Sequence, residues 1–360
     1  MLITFPHMGQ LHTVMTTLLT GFGHDVLVPP PISRTTLALG VRHSPETVCL
    51  PFKVNLGNFI EALNQGADTI LTCGGVGPCR LGCYAQVQEG ILMDMGYRFQ
   101  MLAVEPNLPA VFALMRRLGV GAGWPRVWRA LRLAYDKMLA LDGVERRLAA
   151  LRPREMVKGT ADRAAALALK GIEQADNEEE LRCMMAQAAA QLDEIVLDPH
   201  VRPLRVGLVG EIYVMLEPFA NCHLEKHLGR MEVEVHKTMY ISDYVRGHIL
   251  RQQDHQRLYR MLDTLARPYL GHSVGGHALK SVAYTVQKSS EKLDGMIQAY
   301  PFTCMPEAIA KNILPTVSRH VDLPVLSLAF DEQSGEAGLI TRLEAFVDLL
   351  QRRRNAAEGP

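Results

Sequence analysis

The first hundred residues alternate short apolar runs with stretches of helical spacing. Residues 2–5 read as a strand, and residues 11–21 place apolar side chains at helical intervals before stopping at a glycine. Residues 25–28 form a second apolar run, closed by Pro29, Pro30 and Pro31. Residues 51–66 read as a helix with Gly66 as its C-terminal stop. The strand 69–72 runs directly into the loop Cys73-Gly74-Gly75-Val76-Gly77-Pro78-Cys79. A helix over 84–95 and a strand over 99–104 follow. Strands alternating with helices predict parallel β-α-β units buried on both faces.

Residues 108–200 break that pattern. They are rich in Ala, Leu, Arg and Glu and show almost no strand signal; 161–170 and 178–192 are strong helix formers. Alternation resumes with an apolar strand at 204–209. It continues through a helix at 219–228, a strand at 232–236, a helix at 275–289 and a strand at 295–299. A helix at 307–320, a strand at 325–329 and an amphipathic helix at 341–353 complete it, and the tail 355–360 reads as disordered. The expected fold class is therefore α/β: two Rossmann-like (flavodoxin-like) parallel-sheet domains, 1–108 and 201–353. A helical insert at 109–200 joins them, and a tail covers 354–360. No internal sequence repeat is visible, although the two halves are compatible with one shared architecture.

Composition narrows the function classes. The 360 residues carry 38 Lys and Arg against 38 Asp and Glu, so the net charge is zero. That balance argues against a general nucleic-acid binder, while leaving room for a local basic patch. No apolar run approaches the roughly 20 residues of a membrane span, and the opening segment lacks the features of a signal peptide. A cytoplasmic, reducing location is the expectation. There the seven cysteines are poor disulfide candidates, and the plainest reading makes several of them small core residues.

Functional loops of parallel α/β sheets lie beyond the carboxyl ends of the strands. Cys73 and Cys79 lie in the glycine-rich loop, Cys304 follows the strand at 295–299, and Cys49 precedes a helix. All four are flanked by Gly or Pro. If the two domains face each other, these loops can meet, and four thiolates can hold an iron–sulfur cluster or a zinc ion. The Cys-x5-Cys spacing matches no common zinc ribbon, so a metal site and scattered buried thiols both stand. Cys83 is a candidate fifth ligand or replacement. Cys183 is assigned a structural place on the helical insert.

Two histidine groups invite comparison with metal or anion sites. His223 and His227 fall at i and i+4, next to Cys222, but the intervening Glu225 does not stand where a metalloprotease helix needs it. A partly exposed helix face is the simpler reading. Gly271-His272-Ser273-Val274-Gly275-Gly276-His277 opens a helix, where His272 and His277 could meet an anion; a tight turn explains it equally. The chain has neither a Gly-x-x-x-x-Gly-Lys-Ser/Thr loop nor a Gly-x-Gly-x-x-Gly turn after the first strand.

Five segments in order carry a resemblance. They are Ser-Pro-Glu-Thr-Val-Cys-Leu-Pro-Phe-Lys-Val at 44–54, the loop from Cys73 to Cys83, and Gly-Glu-Ile-Tyr-Val-Met-Leu-Glu-Pro-Phe-Ala-Asn at 210–221. Pro-Phe-Thr-Cys-Met-Pro-Glu at 301–307 and Thr-Arg-Leu-Glu-Ala-Phe at 341–346 complete the set. Together they resemble the activase-related branch of the 2-hydroxyacyl-CoA dehydratase and benzoyl-CoA reductase superfamily. The resemblance spans both α/β portions and is weakest over 110–200. It implies paired α/β domains with an iron–sulfur cluster in the interdomain cleft, either 4Fe–4S or a double cubane. It implies Cys49, Cys73, Cys79 and Cys304 as ligands; Cys83 departs from the family pattern, where an aromatic residue is usual. Glu211, Glu217 and Asn221 match a family segment as substrate contacts or as structural residues. The implied partners are an ATP-dependent activase of the acetate/sugar kinase–actin type and a small-molecule or acyl-CoA substrate, with a homodimer also expected. The implied activity is an oxygen-sensitive reductase or dehydratase component. A cluster carrier, scaffold or electron-transfer module is the alternative, and a zinc or metal-free small-molecule binding protein the second.

Overall fold

The computed structural model describes residues 1–75, 79–119, 121 and 123–358. The protein is α/β and contains two four-stranded parallel sheets. The first comprises β1 (Leu2–Thr4), β2 (Asp25–Val26), β3 (Thr69–Cys73) and β4 (Gln100–Val104), in the order β2-β1-β3-β4. The second comprises β5 (Leu204–Gly210), β6 (Val233–Lys237), β7 (Gly295–Pro301) and β8 (Val325–Phe330), in the order β6-β5-β7-β8. The two halves thus repeat one Rossmann-like strand order without a visible sequence repeat. In each, the order reverses beside the first strand, between β1 and β3 and between β5 and β7. That crevice is where open parallel sheets bind ligands.

The chain divides into two compact units. One holds Met1–Leu139 with Ile241–Gln256, and the other Ala140–Tyr240 with Arg257–Pro360. Within the first unit, alternation along β3 explains why its strands are apolar throughout. Ile70 packs with Phe52, Leu56, Phe59 and Leu92 from the helices Leu50–Asn64 and Tyr84–Asp94. The next residue, Leu71, packs with Ile3, Leu19, Leu102 and Leu118 on the opposite face. Phe59 and Leu19 are fully buried, each contributing roughly 1.5–3 kcal/mol.

Residues 108–200 are helical as their composition predicts: Leu108–Leu118, Trp124–Leu151, Thr160–Gln174 and Glu178–Asp193. Asn177 caps the last of these through the backbone N–H groups of Glu179 and Glu180, so the Glu178-Glu179-Glu180 run is a helix start.

Three local expectations are corrected and one helix is added. The helix expected at 219–228 covers only Leu224–Arg230, because Cys222 and His223 adopt left-handed backbone angles. The helix expected from 275 begins at Ala278, since Gly275 and Gly276 also take positive φ. The last helix spans Glu336–Glu358, so residues 355–358 of the expected disordered tail continue it. A helix at Arg34–His43, which carried no periodic signal, is built by a capping box between Ser33 and Thr36. It lies so close to the next helix that a Cβ on Gly57 would stand 1.9 Å from the Thr36 carbonyl oxygen.

Candidate functional site

In the first unit, β-α-β topology places the N-termini of the helices Leu50–Asn64 and Tyr84–Asp94 at the carboxyl end of the sheet. Cys49 is the residue before the first of these helices, and Cys83 the residue before the second. Cys79 stands before the single 3-10 turn Arg80–Cys83, and Cys73 ends β3. The loops carrying them touch. Arg80 donates to the Thr47 carbonyl at 2.7 Å, tying the 79–83 turn to the segment that leads into Cys49. The Cys49 thiol hydrogen-bonds the Tyr84 hydroxyl, and the Tyr84 ring sits edge-on to Phe52 at 5.1 Å. Gly82 must be glycine, because a Cβ there would stand 2.6 Å from the Gly75 carbonyl oxygen. Val76, Gly77 and Pro78 of the predicted glycine-rich wrap lie outside the described residues.

Cys73 reaches solvent as a residue, yet crowding around its sulfur and then the nearby Glu105 carboxylate hold its thiol above its ordinary value. Solvent contact limits how far that rise goes. Glu105 also closes over the loop: a Cβ on Gly74 would meet its carboxylate oxygen at 2.8 Å. Across the switch point, the loop after β1 brings His7, whose backbone N–H donates to Asn58 Oδ1 at 3.0 Å and whose ring stacks on His12 at 5.7 Å. His7 carries no pattern of its own in the sequence; its place one loop after the first strand was the available signal.

In the second unit, Cys304 immediately precedes the helix Met305–Val321, at the carboxyl end of β7, and is buried. It is the only buried cysteine of the seven. The plainest sequence reading, core-filling thiols, therefore fails for Cys73, Cys83 and Cys183, all exposed; on the last one's helix Leu181, Ala188 and Leu192 face the core instead. Three residues into the same helix, Glu307 is fully buried. Gln298, an interruption in the otherwise apolar β7, donates to its Oε2 at 2.8 Å, and Ser281 donates at 3.0 and 3.1 Å. Ser327 donates in turn to Gln298 at 2.8 Å. Burial pushes the Glu307 carboxyl up to about 7; the Gln298 and Ser281 bonds pull it down, and the Glu211 carboxylate adds to the rise. Glu307 closes the 301–307 segment but belongs to no recognisable motif of its own. Its signal was a helix-start glutamate with a polar residue in the neighbouring strand.

Glu211, Glu217 and Asn221 make hydrogen bonds within the turn that follows β5. Glu211 accepts from the Tyr213 and Val214 N–H groups at 3.1 and 3.0 Å, and burial holds its carboxyl above the ordinary value against those bonds. Glu217 accepts from Phe219 N–H at 3.0 Å. Asn221 donates to the Val214 carbonyl at 2.7 Å and accepts from Leu224 N–H at 3.1 Å. His277 is the residue before the helix Ala278–Ser290, and His272 is exposed in the preceding loop. His223 and His227 do not form the expected pair on successive helical turns, because His223 lies outside the helix body. His227 is buried with its Nε2 2.9 Å from Glu336 Oε1, and Cys222 contacts the Ser334 carbonyl instead.

Thiols are the right donors for iron or zinc. Their placement does not complete a coordination set: among the described residues, no three His, Cys, Asp or Glu side chains converge closely enough to hold a metal ion. Among the described residues, no helix is long and apolar enough to cross a membrane. The chain matches no protein-family model and no curated protein.

Proposed function

We propose that this chain is an iron–sulfur protein resembling components of the 2-hydroxyacyl-CoA dehydratase superfamily. In this reading it takes low-potential electrons from an ATP-dependent activator and passes them to a small substrate. One observation supports it above the others: Cys49, Cys79, Cys83 and Cys304 each stand directly before a helical segment on the strand-end side of a parallel sheet. Backbone N–H groups at a helix start are free of intrahelical partners and can point at sulfur. When bound, a cluster supplies one-electron chemistry, and sulfur-directed N–H groups tune its potential. Among the described residues the thiols do not converge on one point, and Cys49, Cys73, Cys79 and Cys304 are the residues that would hold such a cluster. For Cys73, the raised thiol means that binding a metal would have to displace a proton.

The crevices at the two sheet switch points support a second reading, a zinc or metal-free protein that binds a small molecule there. Anaerobic purification from cells with intact cluster assembly separates the two. The first reading expects brown protein with iron and sulfide in comparable amounts, lost in Cys49→Ser, Cys79→Ser and Cys304→Ser variants that keep their far-UV circular dichroism. Colourless, iron-free protein from such cells would overturn it in favour of the second.

A further inference from the structure

One stretch of the neutral chain carries positive charge with no negative charge among it. Between Glu105 and Asp136 there is no acidic residue, while Arg116, Arg117, Arg126, Arg129 and Arg132 all fall in that stretch. The same stretch contains both tryptophans of the molecule, and both are exposed: Trp124 by 64% and Trp128 by 70%. Phe112 lies nearly parallel to Trp124, ring centroids 6.4 Å apart. Large apolar rings left in water beside clustered arginines mark a recognition surface.

That surface is concave. A cavity of about 510 Å³ opens between the helices Leu108–Leu118 and Trp124–Leu151, and Met115, Arg116, Arg117, Trp124 and Val127 are among its lining residues. Its volume falls within the range of small-molecule sites, roughly 300–1,000 Å³. Its rim is anchored to the first unit: the His24 ring bonds the Leu118 carbonyl at 2.8 Å, and Arg126 donates to the Thr20 carbonyl at 3.2 Å. His24 directly precedes β2, so the cavity lies at the amino end of the sheet, opposite the cysteine loops. One helix ends and another begins at its rim, so their dipoles offset and the arginines dominate the local field.

We propose that this cavity binds a purine nucleoside diphosphate, with the base stacked on Trp124 and the phosphates held by Arg116 and Arg117. The indole supplies a flat platform for an aromatic base, and the guanidinium forks match phosphate oxygens in pairs. No acidic side chain within residues 106–135 opposes the phosphates. Nucleotide-loop patterns in the sequence do not find this site, because side chains rather than glycine-rich backbone build it. The proposal is independent of the thiol reading.

The test is ADP titration of the full chain followed by tryptophan emission, since both tryptophans report on this surface. Saturable quenching is expected. In an Arg116→Ala/Arg117→Ala variant the apparent Kd should rise by about tenfold or more with far-UV circular dichroism unchanged. Trp124→Leu, measured by calorimetry, should weaken ADP but leave inorganic diphosphate binding unchanged. Cys49→Ser should leave the ADP titration as in the parent, which separates this proposal from the fate of the cluster reading. No saturable quenching, an unchanged Kd in the double-arginine variant, or diphosphate binding as tightly as ADP each overturns the proposal. So does a blue shift of the emission on phosphatidylserine vesicles that ADP does not reverse, which would assign the patch to a membrane surface.

Discussion

Glu307→Gln should remove a pH-dependent destabilisation from the second unit. The parent carboxyl is fully buried and sits at about 7, against an ordinary value of 4.5. Folding therefore holds a proton that the unfolded chain releases between those values. Below 4.5 both states are protonated and the group contributes no pH dependence. As pH rises from 4.5 towards 7 the unfolded state gives up its proton first, so stability falls; above 7 the full penalty is present. The gap, at about 1.4 kcal/mol per pH unit, amounts to about 3 kcal/mol. The amide of glutamine reproduces the neutral carboxyl: its oxygen can accept from Gln298 and its NH2 can donate to Ser281 Oγ. Chemical denaturation of parent and variant at about pH 5 and about pH 8 isolates the effect as a difference of differences, which cancels the other titrating groups. The variant should gain about 2–3 kcal/mol on the parent between the two conditions. Equal pH dependence in both proteins would show that Glu307 is ionised in the folded state at neutral pH, and that its buried network is a charged one.

Two further outcomes follow from the geometry around the thiol loops. Gly57→Ala should lower stability by about 1–3 kcal/mol, because its Cβ would press on the Thr36 carbonyl oxygen and force apart the two helices that present Cys49; a thermal melt reads this directly. Glu105→Gln removes the carboxylate that opposes ionisation of Cys73, so iodoacetamide should label Cys73 faster in the variant at neutral pH, as followed by peptide mass spectrometry; an unchanged rate would mean that Glu105 does not act on this thiol.

Much of the fold was legible because strand and helix periods differ, and the segments that show them cleanly are buried on one face or two. The helix Leu11–Gly21 and the strands at 69–73, 204–210 and 325–330 emerge close to where the patterns put them. Two of the misreadings share one cause. At 222–223 and 275–276 the backbone takes positive φ, a choice made by how the turn packs and not by the polarity of its residues. The candidate chemistry was legible only as residue types. Cysteines beside Gly and Pro pointed to strand-end loops, but Glu307 and Gln298 passed unselected because each looks ordinary within its own element.

The sequence by itself determined that this is an α/β chain with parallel units, a helical stretch at 108–200, and several cysteines placed at the ends of elements. Local periodicity and turn chemistry suffice for that. Only the tertiary structure decided that both sheets share one strand order, that Cys304 alone of the thiols is buried, and that Glu307 is held among Ser281, Gln298 and Ser327. It also brought Arg116, Arg117 and Trp124 around one cavity. Burial and electrostatics depend on groups far apart in the chain, and the distance between them is set by packing rather than by spacing along the sequence.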